Sequence, residues 1–345
     1  MKISLESKAL GVLLGTAIGD ALGVPYEGKP ASFFTPELSL RQFGTSERGL
    51  PAGQYSDDTQ MTLAIAESLA AVGEVDGADV ARRFVRLWES GEIIGGGSSC
   101  TDAVMGMMRY RTPWWAAGTE VGRAGNGTAM RVSPIGWWDH DADWRIAEDA
   151  ANSSIITHKD PRSTAGAVGI ARAVAFVIVT DCVKAGELLD VVAGAVGAVH
   201  EEFGKYVADL RGWLSLPRDE AVRRIARAGW DAPAEPDYIR AFVIPTVLIA
   251  LYSFLSYRHD FLAAIECAIR AGGDVDTSAA ITGALHGAHN GFQLLPRDLI
   301  FGVKDAAHIC SVAAAMYEKK THRPSSLRSA LQQLEGAPVH GQEKT

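Results

Sequence analysis

The stretch Gly11–Val–Leu–Leu–Gly–Thr–Ala–Ile–Gly–Asp–Ala–Leu–Gly23 places a glycine at every fourth position. Residues four apart lie on one face of an α-helix, so these glycines would form a stripe along it. A glycine inside a helix costs about 0.5–1 kcal/mol relative to alanine, which requires a compensating gain. Close approach of a second helix supplies that gain. The stretch therefore predicts a helix that packs tightly against a partner.

A second stripe near the other end of the chain is the natural partner. It consists of Gly283, Gly287 and Gly291. Packing alone is enough to explain both stripes. A functional explanation is that the two helices bring their acidic ends together, because Asp20 and Glu27 close the first stretch while Asp274 and Asp276 open the second.

Most of the remaining chain consists of Ala-, Leu- and Val-rich stretches with helical periodicity, separated by Gly, Pro and Asp clusters. Short β-branched runs bounded by turns are nearly absent, so an all-α fold is expected. The clearest predicted helices are Thr59–Val72, Gly77–Glu89, Ser163–Val179, Ala185–His200 and Phe261–Ala271.

The domain organisation follows from the same pattern. Residues 1–320 are predicted to form one compact helical domain, in which the charged, tryptophan-containing segment 202–238 is a peripheral helical excursion. Residues 321–345 are polar and read as a tail, with one short helix at Ser326–Leu334.

Composition excludes several classes of protein. Hydrophobic residues make up 47% and charged residues 21%, which is typical of globular rather than disordered chains. The net charge of -8 argues against nucleic-acid binding, which needs a basic surface. Four scattered cysteines without a C-x-x-C pair favour a reducing cytoplasm over a disulfide or zinc framework. Neither a signal peptide nor a membrane-spanning segment is predicted.

Two acidic clusters each open a predicted helix. In Ser56–Asp–Asp–Thr59 the serine is a good N-cap, and Asp57 and Asp58 would lie in the first turn, which by itself explains the motif as helix capping. In Gly273–Asp–Val–Asp–Thr277 the two acids are two residues apart, and Thr277 is the expected N-cap. Two such clusters at buried helices are hard to explain by capping alone.

Converging carboxylates in an apolar helical core would repel one another or require a cation. Oxygen donors without cysteine or histidine suit Mg²⁺ or Mn²⁺. Two such ions about 3.5–4 Å apart can activate a water molecule and orient a substrate hydroxyl. The acids therefore predict a dinuclear metal site.

Two glycine-rich loops point to an anionic ligand. Gly95–Gly–Gly–Ser–Ser99 and Gly122–Arg–Ala–Gly–Asn–Gly–Thr128 both offer exposed backbone N–H groups, which bind phosphate readily. Neither loop matches a P-loop or a dinucleotide fingerprint, and a flexible turn explains each loop equally well when taken alone.

Five motifs in order give the chain a specific resemblance. Together they span roughly residues 8–295, and they resemble the motifs of the ADP-ribosylglycohydrolase family. The matching segments are Gly15–Gly23 with Glu27, Ser56–Gln60, Gly125–Arg131, Thr157–Pro161 and Gly273–Thr277.

The resemblance implies an all-α enzyme that holds two Mg²⁺ or Mn²⁺ ions. Such an enzyme cleaves ADP-ribose from a modified side chain, and a water molecule attacks C1″ of the ribose. The resemblance assigns metal binding to Ser56, Asp57, Asp58, Asp274, Asp276 and Thr277. Asp57 and Asp58 are also expected to be catalytic residues, and Glu27 is expected to act as a proton shuttle or a gate. The resemblance assigns ligand contacts to Gly95, Gly96, Gly97, Ser98, Gly122, Arg123, Gly125, Asn126 and His158.

One position departs from the family pattern. Some members have an aromatic residue that stacks on adenine where this chain has Ala124. Tyr110, Trp114 and Trp115 are candidates for that platform here, and Arg123 could instead meet a phosphate.

The expected substrate is an ADP-ribosylated protein, arginine-linked in preference to serine-linked, with ADP-ribose as the product. The alternatives are a catalytically silent ADP-ribose-binding or structural member, and a hydrolase of a small ADP-ribosyl or N-glycosyl metabolite. We expect a cytoplasmic monomer without nucleic-acid or membrane partners.

Overall fold

A computed structural model describes residues 3–230 and 238–326. They form sixteen α-helices, and the only β-type pairings within these two ranges are three isolated bridges, so the all-α prediction is confirmed. The helices are α1 Leu5–Gly23, α2 Asp57–Val72, α3 Gly77–Glu89, α4 Ser98–Tyr110, α5 Trp114–Ala117, α6 Ser133–Trp138, α7 Asp143–Ile155, α8 Pro161–Val179, α9 Ala185–Val199, α10 Glu201–Trp213, α11 Arg218–Arg227, α12 Val243–Ser256, α13 Phe261–Ile269, α14 Val275–Asn290, α15 Arg297–Gly302 and α16 Ala306–Thr321.

The predicted helices are present, with end shifts of one or two residues. Helices α2 and α8 each begin two residues earlier than expected, because Ser56 and Asp160 cap them with their side chains. Helix α9 ends at Val199, since His200 caps the following helix α10. The predicted helix Ser326–Leu334 lies almost entirely outside the described residues.

Helices α1 and α14 form the centre of the fold, and both are buried along nearly their whole length. At Gly15 an added Cβ would overlap the backbone carbonyl of Gly283, and at Gly283 it would overlap that of Gly15. Gly11 and Gly287 are related in the same way. The predicted close approach of the two glycine stripes is therefore confirmed, except that Gly291 lies just past the end of α14, with a φ of 68°.

The other helices pack around this pair. Helices α2, α6, α8, α12, α13 and α16 all contact α1 or α14. The predicted excursion corresponds to α10 and α11, which pack against α9 and α12 through an apolar face that includes Phe203, Leu210 and Ile225. Residues 231–237 of that segment lie outside the described ranges.

Two helices are long and apolar enough to cross a membrane, judged by length and composition alone. They cover Leu5–Tyr26 and Pro161–Val179. In the most apolar 18 residues of each segment, 83% of the first and 72% of the second are buried inside the protein. Core helices pass the same test, and both segments pack here as core helices.

A pair of buried acids lies away from the glycine stripes. Asp139 directly follows α6 and lies beside Asp149 of α7, and both side chains are almost completely buried. Burial, and then the neighbouring carboxylate, raises the pKa of Asp139 to about 7. The pair is therefore most favourable when one carboxyl keeps its proton.

The Asp139→Asn variant should be more stable than the wild type at pH 8 and similar to it at pH 4. A carboxyl group with a raised pKa contributes stability below its ordinary pKa, and that contribution is lost as the pH rises through about 7. Asparagine carries no charge to desolvate at the higher pH. Thermal unfolding across this pH range measures the difference, and Asp209→Asn on the exposed face of α10 is the control. An equal shift at both pH values would contradict the assignment.

Candidate active site

Asp20, in the last turn of α1, organises the start of α2. Its fully buried carboxylate accepts hydrogen bonds from the Ser56 and Thr59 backbone N–H groups, both at 3.0 Å, and from the Thr59 hydroxyl at 2.6 Å. These bonds satisfy helix donors that would otherwise lack partners. The sequence reasoning left Asp20 out of the site residues, although its place at the acidic end of the glycine stripe was the available signal.

The two acid-plus-hydroxyl clusters meet at Asp58. The hydroxyls of Ser56 and Thr277 donate to the same Asp58 oxygen, Oδ2, at 3.1 and 3.3 Å. Ser56 is the N-cap of α2, as expected, because its Oγ also accepts from the Asp58 N–H. The start of α2 is therefore joined to the start of α14. The acidic ends of α1 and α14 also meet, as the functional explanation of the glycine stripes predicts, because a Cβ at Gly23 would overlap the backbone of Asp276.

The expectation that Thr277 caps α14 is wrong. The helix begins at Val275, its N-cap is Asp274, and Thr277 lies in the first turn. The tight turn at Gly273 causes this, since its φ is 86° and an added Cβ would overlap the carbonyl oxygen of Ile239. The Asp274 N–H then donates to that carbonyl at 2.8 Å, which fixes where the helix starts.

Two carboxylate oxygens in this cluster have no partner among the residues that the structure describes. They are Asp58 Oδ1 and Asp276 Oδ1, and both are buried. Burial, followed by the charges of Asp20 and Asp274, raises the pKa of Asp57 to about 7. Burial and neighbouring carboxylates also raise the pKa values of Asp58 and Asp276. Without a cation the cluster therefore keeps part of its protons at neutral pH, and a bound cation would take the place of those protons.

Two further acids border the same cluster and do have partners. Glu27 is half-buried and accepts a hydrogen bond from the exposed Arg48 at 2.8 Å, while burial raises its pKa. Asp274 accepts from the Asn126 side-chain amide at 2.7 Å. Through this bond, the second glycine-rich loop reaches the acids of α14.

A cavity of about 190 Å³ opens over these acids, and most of the predicted site residues line it. Asp57 accepts from the Gly97 backbone N–H, so the first glycine-rich loop forms one wall. The lining residues are Glu27, Asp57, Asp58, Gly95, Gly97, Ser98, Ser99, Cys100, Gly125, Asn126, Gly127, Met130, His158, Ala241, Asp274, Asp276 and Thr277.

Four of the predicted residues do not line the cavity, and these are Ser56, Gly96, Gly122 and Arg123. Gly122 donates its backbone N–H to Asp160 at 2.7 Å. Arg123 donates to the carboxylate of Asp102 at 2.6 Å and to the hydroxyl of Ser98 at 2.9 Å. Arg123 therefore ties its loop to the start of α4 and is already paired.

None of the three aromatic candidates for adenine stacking lines the cavity. Trp114 packs over Gly77 at the start of α3, where it leaves no room for a side chain. Tyr110 and Trp115 are 79% and 59% exposed.

The sequence reasoning also missed a buried arginine behind the cavity wall. Arg131 is fully buried and donates to the carbonyls of Gly127 and Ser153, at 2.8 and 2.9 Å, and to the hydroxyl of Thr157 at 2.9 Å. Thr157 in turn lies 2.8 Å from His158 Nδ1. Burial and the charge of Arg131 lower the pKa of His158 to about 3, so its imidazole is neutral.

The side chains around the cavity offer mainly oxygen donors for a metal ion. Within residues 3–230 and 238–326, no three His, Cys, Asp or Glu side chains are grouped so that they could hold one ion. The chemistry of the donors nevertheless suits Mg²⁺ or Mn²⁺, since carboxylate and hydroxyl oxygens predominate and two buried carboxylate oxygens are unpaired. The residues present fit such ions in type and charge.

A second and larger cavity, of about 860 Å³, shares no residue with the first. It is bordered by α2, α3 and the start of α16, and it contains none of the predicted site residues. The smaller cavity is the better candidate site because the unpaired buried carboxylates converge there.

Comparison with known proteins gives the family. The model of the ADP-ribosylglycohydrolase family matches residues 1–325. An uncharacterised protein of Archaeoglobus fulgidus is 30% identical, covering 91% of this chain and 97% of its own. The ADP-ribosyl-[dinitrogen reductase] glycohydrolase of Rhodospirillum rubrum is 29% identical, and the match covers 85% of this chain and 89% of the relative. The ADP-ribosylarginine hydrolase Tri1 of Serratia proteamaculans is 27% identical, and the match covers 90% of this chain and 79% of the relative.

A solved structure shows the same helical architecture. It is described as an ADP-ribosylglycohydrolase-related protein complex, and it superposes with a TM-score of 0.68 at 27% identity, covering 92% of this chain and 99% of its own. Family model, relatives and fold agree. The chain therefore belongs to the ADP-ribosylglycohydrolase family.

Proposed function

We propose that this protein is a metal-dependent hydrolase that removes ADP-ribose from a modified protein side chain, with arginine-linked ADP-ribose as the favoured substrate. The observation that carries the proposal is the set of converging acids, two of which hold buried carboxylate oxygens without partners. Such charge is stable only with protons or a cation. The activities for which the Rhodospirillum and Serratia relatives are named support the choice of reaction and linkage.

Six residues would hold the two Mg²⁺ or Mn²⁺ ions in this proposal, and these are Ser56, Asp57, Asp58, Asp274, Asp276 and Thr277. When bound, such ions supply an activated water molecule and a grip on the ribose hydroxyls. Asp20 contributes indirectly, because it fixes the first turn of α2 on which the first three ligands lie.

The remaining site residues would bind the ADP-ribose and move protons during its release. The first glycine-rich loop and the Gly125–Gly127 segment line the cavity beside the acids, where backbone N–H groups suit the diphosphate of ADP-ribose. Asp57 is the candidate general base because its carboxyl group lines the cavity beside the other proposed metal ligands. Glu27 is a candidate proton shuttle or gate, since its pairing with the exposed Arg48 is readily broken.

The deciding experiment offers ADP-ribosyl-arginine and ADP-ribosyl-serine peptides to the purified protein with Mg²⁺, Mn²⁺ or a chelator. We expect metal-dependent release of ADP-ribose, faster from the arginine-linked peptide. Binding of ADP-ribose without release from either peptide would indicate a silent binding member. Activity confined to small ADP-ribosyl or N-glycosyl compounds would favour a metabolite hydrolase.

The setting of the reaction is also a proposal. Cys100, Cys182, Cys267 and Cys310 are all free, which suits a reducing cytoplasm. We propose that the protein works there as a monomer, and size-exclusion chromatography with light scattering tests the oligomeric state.

A further inference from the structure

The buried guanidinium of Arg131 has an unusual set of partners. Among the described residues, its hydrogen bonds go to two backbone carbonyls, one hydroxyl and, at 3.8 Å, the Cys100 sulfur, and its face lies 4.8 Å from the ring of Phe84. None of these partners is a carboxylate. Burying an arginine without an ion pair lowers the stability of the fold, so such a residue is expected to have a role that depends on its hydrogen bonds. Two of them point at residues that shape the cavity wall.

The Thr157 hydroxyl is the link between this arginine and His158. An arginine can only donate, so the Thr157 oxygen must accept from Arg131 at 2.9 Å. The single hydroxyl hydrogen is then free for another neighbour, either His158 Nδ1 at 2.8 Å or the nearby Cys100 sulfur. An imidazole nitrogen is a far better acceptor than a thiol sulfur. Donation from Thr157 to Nδ1 is therefore the favoured arrangement, and it would leave the imidazole proton on Nε2.

The Nε2 edge of His158 faces the cavity. His158 is among the lining residues, and no side chain or backbone group of the described residues bonds to Nε2. The absence of a side chain at Gly125 keeps this edge clear, because a Cβ there would lie 2.8 Å from Nε2. A polar atom that faces a cavity, on an otherwise buried side chain, is expected to meet a ligand or a water molecule.

We propose that Arg131 and Thr157 are positioning residues that fix His158 as the neutral Nε2–H tautomer, so that it donates a hydrogen bond to a ligand oxygen. A phosphate oxygen is the best match, because it accepts hydrogen bonds and has none to donate. The tautomer stands on geometry alone. The identity of the ligand rests on the proposed function.

Imidazole ¹⁵N NMR of the ligand-free protein tests the tautomer. The chain contains nine histidines, and a His158→Asn variant assigns the signals. We expect a protonated Nε2 and a hydrogen-bonded, unprotonated Nδ1 in the wild type and in Thr157→Ser, which keeps the hydroxyl. In Thr157→Val, the Nδ1 signal should shift to that of a nitrogen without a hydrogen bond. A protonated Nδ1 in the wild type, or identical spectra for the wild type and Thr157→Val, overturns the proposal.

Calorimetry with ADP-ribose and Mg²⁺ tests the consequence for binding. Thr157→Val should bind about tenfold more weakly, which corresponds to one hydrogen bond, while Thr157→Ser stays near the wild type. Equal weakening by both variants would indicate a loss of packing and would overturn the positioning role. If the wild type binds no ADP-ribose, the proposed function fails, whereas the NMR result still decides the tautomer. Should Thr157→Val not fold, the wild-type and Thr157→Ser spectra remain sufficient.

Discussion

Asp276→Asn is expected to lower metal-dependent release of ADP-ribose on the order of 1000-fold or more, while the protein stays folded. Asp276 is buried in the first turn of α14, and one of its oxygens has no partner within the protein. An amide keeps the shape but cannot neutralise a cation or match its charge. Losing a ligand of the proposed centre removes the chemistry that the centre supplies, and three orders of magnitude correspond to about 4 kcal/mol.

Without added metal, the Asp276→Asn substitution should raise the stability of the fold at pH 8, although it lowers turnover. Burial and the neighbouring acids raise the pKa of Asp276, so its contribution to stability is favourable in acid and is lost as the pH rises through the raised value. Asp276→Asn should therefore unfold at a higher temperature than the wild type at pH 8, and at a similar temperature near pH 4.

Turnover assays and thermal unfolding with and without Mg²⁺ measure both effects. Mg²⁺ should stabilise the wild type more than Asp276→Asn, since a ligand that binds only the folded state raises its stability. Asp209→Asn, on the exposed face of α10, should leave turnover and the Mg²⁺ effect unchanged. Near-normal turnover in Asp276→Asn would defeat the metal-site proposal, and a loss of turnover together with unfolding would point to a structural role.

Gly283→Ala is expected to have the largest effect on folding, with a loss of about 4 kcal/mol or more, or no soluble protein at all. The added methyl group would overlap the backbone carbonyl of Gly15 on the facing helix, where no side chain can move aside. Relief would require α1 and α14 to separate, which would also displace Asp20 from the start of α2.

Gly194→Ala in α9 is the matched control. It is also a helix-interior glycine, but an added Cβ there would meet nothing within 4 Å. Alanine should stabilise that helix by about 0.5–1 kcal/mol. Denaturant unfolding of both variants tests the pair. If both raise stability, or if both leave it unchanged, the close contact between the stripes is not what selects glycine at position 283.

The centre of the fold could be predicted because its signals are local in sequence. A four-residue glycine period, and a serine before two aspartates, have few structural explanations, and both predictions held at Gly15 and Ser56. The start of α14 was misplaced because the turn at Gly273 depends on Ile239, a contact that no local pattern encodes.

The parts of the site that were missed depend on tertiary contacts. Asp20 resembles an ordinary polar residue at the end of a helix until its four hydrogen bonds to the start of α2 are seen. Arg131 lies inside a recognised motif, but only the folded chain shows that it reaches Ser153 and Thr157. Arg123, which the family motif assigns to the ligand, also donates to Asp102 on α4, a contact that the loop sequence does not encode.

The pairing of α1 with α14 has a consequence for the order of folding. The two helices come from opposite ends of the described chain, so during synthesis α1 emerges long before its partner exists. Until then, an apolar helix with a glycine-lined face lacks the surface that it buries against. Contacts of such long sequence separation form slowly, and exposed apolar segments of this kind are prone to aggregation. The acidic ends of the two helices can therefore meet only after helices α2 to α13 have been synthesised, which makes assembly of the centre a late step in folding.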